Sequence, residues 1–147
     1  GYPTKQEEQM ILRQNTQQTV SAPVNPVVAI REITEARQLV RTIYMDEKIE
    51  QYILDIVFAT RYPDQYGLSN IKPLISYGGS PRATINLSLA AKAMAYLNKR
   101  GYVIPEDVRS IAADVLRHRI GLTYEAEAEN ISAEEVIKQV LNAVKVP

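Results

Sequence analysis

The sequence has no cysteine and no tryptophan, one phenylalanine and one histidine. Without cysteine there is neither a disulfide nor a thiolate metal site. A lone histidine cannot build a zinc centre by itself. An excess of one charge is also missing: Lys+Arg and Asp+Glu both number 17, so the formal charge is zero. That balance argues against bulk binding to nucleic acid or to a membrane surface. No apolar run approaches the ~18 residues of a membrane span, and no signal peptide is visible. The expectation is therefore a cytoplasmic protein that does not insert into membranes. The phosphate-cradling pattern Gly-x-x-x-x-Gly-Lys-Ser/Thr is absent, as are Gly-x-Ser-x-Gly and a Cys/His nucleophile pair. There is no initiator methionine either. The chain opens at Gly1-Tyr2-Pro3, and the expectation is a piece of something longer.

What is there is an ordinary globular composition, 147 residues that are 46% hydrophobic and 23% charged, enough to bury a core. Apolar spacing is helical along most of the chain. Thr4 and Glu7 fit a capping box, which predicts a short helix to about Gln14 with Met10 and Ile11 as its apolar contacts. Residues 17–26 carry two prolines and read as a surface linker. Residues 27–30 are a brief apolar run, either extended or docking. Ile33, Ala36, Val40 and Ile43 then fall on one helical face. Asp46 is placed to cap a third helix with Ile49, Ile53, Ile56 and Val57 inside. That helix should stop near Arg61, because Pro63 disfavours a helical residue before it. Residues 61–80 read as a loop with one short turn within 71–75.

A long Ala- and Leu-rich helix follows, with Ala83, Leu87, Ala90, Met94 and Leu97 as its stripe, Ala91 and Ala95 beside it as small residues that let neighbouring helices come close, and Gly101 as the expected C′ residue. Pro105 opens the next helix, whose inner face is Val108, Ile111, Ala112 and Val115. Residues 120–130 read as extended or irregular. Ser132 and Glu135 make a second capping box before a last helix to about Val144, with Val136, Val140, Leu141 and Val144 inside. The fold class is all-α: a small helical bundle of five or six helices with extended connecting segments.

The stretch that breaks a local rule is Tyr77-Gly78-Gly79-Ser80-Pro81-Arg82-Ala83. Ser80 is a good N-cap and Pro81 suits the first helical position. Arg82 then lies in the first turn, where the helix dipole disfavours a cation. Such violations concentrate at functional sites. A helix N-terminus attracts anions, and arginine offers a two-pronged phosphate contact. Arg82 therefore reads either as a phosphate-reaching residue or as a solvated surface arginine. His118, between Arg117 and Arg119 at a helix end, reads as structural or docking rather than catalytic. Glu125, Glu127 and Glu129 read as a solvated face rather than a metal site. The nine tyrosines are scattered with no basic stripe, and most read as packing residues with a bonded tip.

Three runs together resemble the C-terminal lid of MoxR-type AAA+ ATPases. They are Gly78-Gly79-Ser80-Pro81-Arg82-Ala83, Gly101-Tyr102-Val103-Ile104-Pro105-Glu106-Asp107-Val108, and Val115-Leu116-Arg117-His118-Arg119-Ile120 followed by Tyr124-Glu125-Ala126-Glu127. Gly1-Tyr2-Pro3 with Glu7, Glu8, Ile11 and Leu12 resembles the segment leaving the family's nucleotide-binding core. The resemblance implies residues 1–30 as the core-to-lid connection and 31–147 as the lid. It implies that Arg82 is the second sensor, reaching the γ-phosphate of ATP, with Ser80 and Pro81 beside it at the nucleotide. ATP and Mg2+ would belong to the longer parent, whose phosphate loop, magnesium-binding acids, first sensor and arginine finger would lie upstream of Gly1. Partners implied are the parent's own core, neighbouring subunits of a hexameric ring, and von Willebrand factor A-domain proteins. The role implied is a chaperone in complex assembly or metal-cofactor insertion. This chain alone would not hydrolyse ATP. Two departures stand out: Ile104 where threonine is frequent, weakening a cap, and Gly79 where alanine is common, loosening the loop. The alternative is a freestanding helical adaptor that binds a protein partner without nucleotide.

Overall fold

The computed structural model describes residues 2–16 and 24–147. Seven α-helices occur among them: α1 (Lys5–Thr16), α2 (Ile30–Thr42), α3 (Glu47–Arg61), α4 (Pro81–Leu97), α5 (Pro105–Leu116), α6 (Tyr124–Ala128) and α7 (Ala133–Ala143). Two 3-10 turns, Pro63–Tyr66 and Lys72–Leu74, link α3 to a short strand, β1 (Ile75–Tyr77). β1 pairs antiparallel with β2 (Gly121–Leu122), Ile75 opposite Leu122 and Tyr77 opposite Gly121. The expected linker at residues 17–26 lies for the most part outside the described residues.

The core is made by α3, α4, α5 and α7 packing on one another. Ile53, Ile56, Val57, Leu87, Leu116 and Val140 are fully or almost fully buried in it. The α3 face is the expected one. The α4 stripe is so only in part: Ala83 and Leu87 are buried as expected, but the row continues through Ala91 and Ala95, expected beside it, while Leu97 is 70% exposed. A strict four-residue spacing puts this row along one ridge of the helix. Its three alanines let neighbouring helices approach the α4 backbone, a result that the larger side chains at 94 and 97 would prevent. On α5 the buried row likewise runs through Asp107, Val108, Ala112 and Leu116 rather than through Ile111 and Val115, which are half-buried.

Both capping boxes form. Glu7 Oε2 accepts from the Thr4 N–H at 2.7 Å, and Glu135 Oε2 from the Ser132 N–H at 2.7 Å. Asp46 Oδ1 accepts from the Lys48 N–H at 2.9 Å, starting α3 as expected. α1 itself differs from expectation, because Met10, Ile11 and Leu12 are all exposed and none of its residues is buried. α2 is also without buried residues. Its Ile33, Ala36 and Val40 line an open groove of about 630 Å³ against Leu89, Ala93 and Leu97 of α4. Of the expected α2 stripe only Ile43, just past the helix, is buried.

The additional helix is α6, inside the stretch expected to be extended. Thr123 Oγ1 accepts from the Ala126 N–H at 3.4 Å, acids occupy the first turn where the dipole favours them, and Ala126 is fully buried. Alternating Glu and Ala suits a helix as well as a strand, since both are strong helix formers; burial of one alanine decides it. Tyrosines depart from expectation too: Tyr2, Tyr44, Tyr62, Tyr77, Tyr102 and Tyr124 are exposed, so most lie outside the core.

The α4–α5 corner closes on a charge pair. The left-handed C′ residue that closes α4 is Lys99, φ 57°, not Gly101. The Lys99 N–H donates to the Tyr96 carbonyl and the Arg100 N–H to the Ala95 carbonyl, both at 2.9 Å. These two bonds are the Schellman pattern. Arg100 is thereby turned onto Asp107. The Ile104 N–H donates to Asp107 Oδ2 at 3.0 Å, the half of a capping box that needs nothing from the isoleucine side chain. Burial alone would raise the Asp107 carboxyl. Hydrogen bonds from Arg100 and the Ile104 N–H, with the Arg100 charge, outweigh it and hold it below its usual range.

Candidate functional site

The C-terminal end of α3 and the N-terminal end of α4 meet at Gly78-Gly79. Thr60, 1% exposed, sits at their junction. Its Oγ1 donates to the Val57 carbonyl at 2.6 Å and accepts from the Gly79 N–H at 2.9 Å. The Arg61 Nε–H donates to the Gly79 carbonyl, and its guanidinium lies 4.8 Å from the centre of the Phe58 ring. Both backbone polar groups of Gly79 are thus held by adjacent residues of α3.

The glycines fit closely. A Cβ at Gly78 would lie 2.5 Å from the Thr60 carbonyl oxygen, so only glycine lets the loop pass. A Cβ at Gly79 would come within 3.1 Å of Ala83 Cβ and 3.3 Å of a Val57 methyl. The loop is therefore held tightly at Gly79, where the sequence suggested looseness.

From this anchor the chain turns into α4. Ser80 has the extended N-cap backbone, φ −76° and ψ 171°, but its side chain makes no capping bond. The capping role expected of its hydroxyl is absent, while its position is as expected. Pro81 brings no N–H. The Ala83 N–H already donates to the Ser80 carbonyl at 2.8 Å. The backbone of this turn therefore has few donors left for an anion, and the positive character of the site resides in the Arg82 side chain. Ser80, Pro81 and Arg82 are all exposed. Among the described residues no hydrogen bond or ion pair engages Arg82, whereas Arg61, Arg100 and Arg109 are each bonded to a neighbour.

Arg82 shares a face of α4 with Ile85 and Leu89, three and seven residues on. Both are exposed, as are Leu54 and Phe58 on the adjoining side of α3. A shallow opening of about 350 Å³ lies between Leu54 and Ile85–Leu89. An apolar face with an unpaired arginine at one end is thus presented to solvent, the kind of surface that marks contact with another protein body.

The remaining candidates lie elsewhere. His118 is exposed just past α5, and Glu125, Glu127 and Glu129 are exposed in and beside α6. Among the described residues no group of three His, Asp or Glu side chains could hold a metal ion, and no helix is long and apolar enough to cross a membrane. The sequence reading missed Thr60 and Arg61. Their signal was a hydroxyl and a cation at a helix end just before a proline-punctuated loop, which fixes no partner 18 residues away.

Residues 68–140 match the AAA lid domain family. Over 100% of its length the chain is 36% identical to the chaperone MoxR1 of Mycobacterium tuberculosis and 35% identical to the uncharacterized protein YeaC of Bacillus subtilis. It covers 38% and 43% of those two proteins, so it spans about two-fifths of the relatives that it matches. A crystal structure of a candidate ATPase from Cytophaga hutchinsonii superposes with a TM-score of 0.89 at 41% identity, over 100% of this chain and 44% of that one. At this identity the likeness extends beyond the fold. The helical architecture, the lid match and these relatives agree: the chain belongs to the AAA lid domain family, as the helical lid of a MoxR-type AAA+ ATPase.

Proposed function

We propose that this lid contributes a sensor-2 arginine, Arg82, to ATP binding and hydrolysis in a longer protein. The observation that carries the reading is the side chain itself: an unpaired, exposed guanidinium in a helix first turn, where the dipole works against it, on a loop anchored to α3. A free guanidinium fits the terminal phosphate of a nucleotide through a two-pronged, charge-assisted contact. Ser80 and Pro81 flank that contact. Magnesium has no ligand cluster among the described residues, and in this reading its acids and the phosphate loop belong to the core.

Arg82 acts here by binding and orienting. Its contact differs between triphosphate and diphosphate, and only such a difference in affinity can move a lid between two positions. The exposed face of Ile85, Leu89, Leu54 and Phe58 supports the same reading, since a core domain seated on it would cover the apolar surface and bring Arg82 to the nucleotide. Residues 1–30 then form the connection from the core, with the exposed Met10, Ile11 and Leu12 of α1 packing on it, and 31–147 form the lid. The parent acts in the cytoplasm, within a ring of like subunits, as a chaperone for complex assembly or metal-cofactor insertion, with von Willebrand factor A-domain proteins as partners.

The test is ATP turnover by the longer protein, wild type against Arg82→Ala, with nucleotide affinity measured alongside. Turnover is expected to fall at least tenfold while the fold is kept. Unchanged turnover would overturn the role given to Arg82.

A further inference from the structure

We infer that Thr60 and Arg61 are positioning residues for Arg82, acting through the Gly79 peptide unit. This rests on the sensor reading of Arg82. Only two residues separate Gly79 from Arg82, and both are constrained: Pro81 by its ring, and Ser80 by its extended N-cap backbone. Whatever fixes Gly79 therefore fixes the start of α4 and the origin of the Arg82 side chain. Thr60 holds the Gly79 N–H at 2.9 Å and is itself locked by its 2.6 Å bond to the Val57 carbonyl. Arg61 holds the Gly79 carbonyl and is braced on the Phe58 ring at 4.8 Å. Gly78 completes the fit by letting the chain lie against the Thr60 carbonyl. The two bonds to Gly79 are made by consecutive residues of one helix. A shift at the end of α3 is consequently passed to the arginine without an intervening flexible segment. A displacement of about 1 Å at a reacting centre is enough to cost a hundredfold in rate.

Two readouts test this. On the chain itself, amide exchange at Gly79 is followed by NMR in Thr60→Val, Thr60→Ser and Arg61→Gln. Thr60→Val should speed Gly79 exchange at least tenfold, with Thr60→Ser close to wild type. In the longer ATPase, Thr60→Val should lower kcat about tenfold with KM changed less than twofold, and Thr60→Ser should restore it. Combining Thr60→Val with Arg82→Ala should cost no more than Arg82→Ala alone, because both act through one contact. A merely structural Thr60 would give additive losses instead. If Thr60→Val does not fold, Arg61→Gln carries the same test, since Arg61 is only partly buried. Wild-type turnover in Thr60→Val and Arg61→Gln, with Arg82→Ala impaired, overturns the positioning inference and leaves the sensor reading standing. Wild-type turnover in Arg82→Ala overturns the sensor reading itself.

Discussion

Arg100 and Asp107 meet across the α4–α5 corner in a two-pronged ion pair, Nη2 to Oδ1 at 2.6 Å and Nη1 to Oδ2 at 2.8 Å. Asp107 is 3% exposed, and the same carboxylate caps α5 through the Ile104 N–H. One acid thus joins the end of one helix to the start of the next.

Asp107→Ala should destabilise the chain by about 1–2 kcal/mol, the cost of losing the Arg100 pair and the bond to the Ile104 N–H, with Arg100 itself left in reach of water. Because the Asp107 carboxyl is held below its usual range, its stabilisation is fully present above the unfolded value of about 3.9. It is lost as pH falls through the lower folded value. Urea unfolding should therefore show a constant gap between wild type and Asp107→Ala from pH 5 to 7, and a gap that narrows below pH 4. A constant gap down to pH 2 would contradict it.

Gly78→Ala should cost about 1–3 kcal/mol, because its Cβ meets backbone at 2.5 Å and the chain must shift. Gly101→Ala has nothing within 4 Å of the new Cβ and should leave stability unchanged. Thermal melts of the pair make the comparison.

Leu87→Ala removes a side chain with 0% exposure and should cost about 2–5 kcal/mol. Leu97→Ala should stay within about 0.5 kcal/mol. Equal losses at the two sites would mean that α4 is rotated relative to the arrangement described.

Arg82→Ala in this chain should raise the melting temperature slightly or leave it unchanged, since it removes a cation from a helix first turn and breaks no bond. A clear loss of stability would show that Arg82 has a structural partner. A neutral or higher melting temperature together with lost turnover in the longer protein is what a functional residue held at a thermodynamic cost produces.

Much of the fold was legible in the residues. Thr4–Glu7, Asp46 and Ser132–Glu135 marked helix starts because a cap is a local bond between a side chain and a backbone N–H two or three residues on. The Ile49–Ile53–Ile56–Val57 row was legible because α3 is buried on one face only. α4 was legible only in part, with Ala83 and Leu87 placed inside but Met94 and Leu97 set in the row that Ala91 and Ala95 occupy, because it is apolar on several sides, and composition does not say which apolar face meets a neighbour. α6 was missed because five residues carry little periodic signal, and its stability comes from burying Ala126.

Of the site, the sequence alone determined the candidate. A glycine pair, an N-cap position, a proline and an arginine in a first turn are short-range chemistry, and they singled out Arg82 without knowledge of any neighbour. Only the tertiary structure decided what holds that arginine in place and what it leaves free. Thr60 and Arg61 lie 18 or 19 residues before the glycine that they grip, and the Ser80 hydroxyl that propensity assigned to the cap is unbonded. The reason is range. Caps, turns and helix dipoles act over one or two turns of chain, whereas the contacts that position a side chain depend on which helix packs beside it.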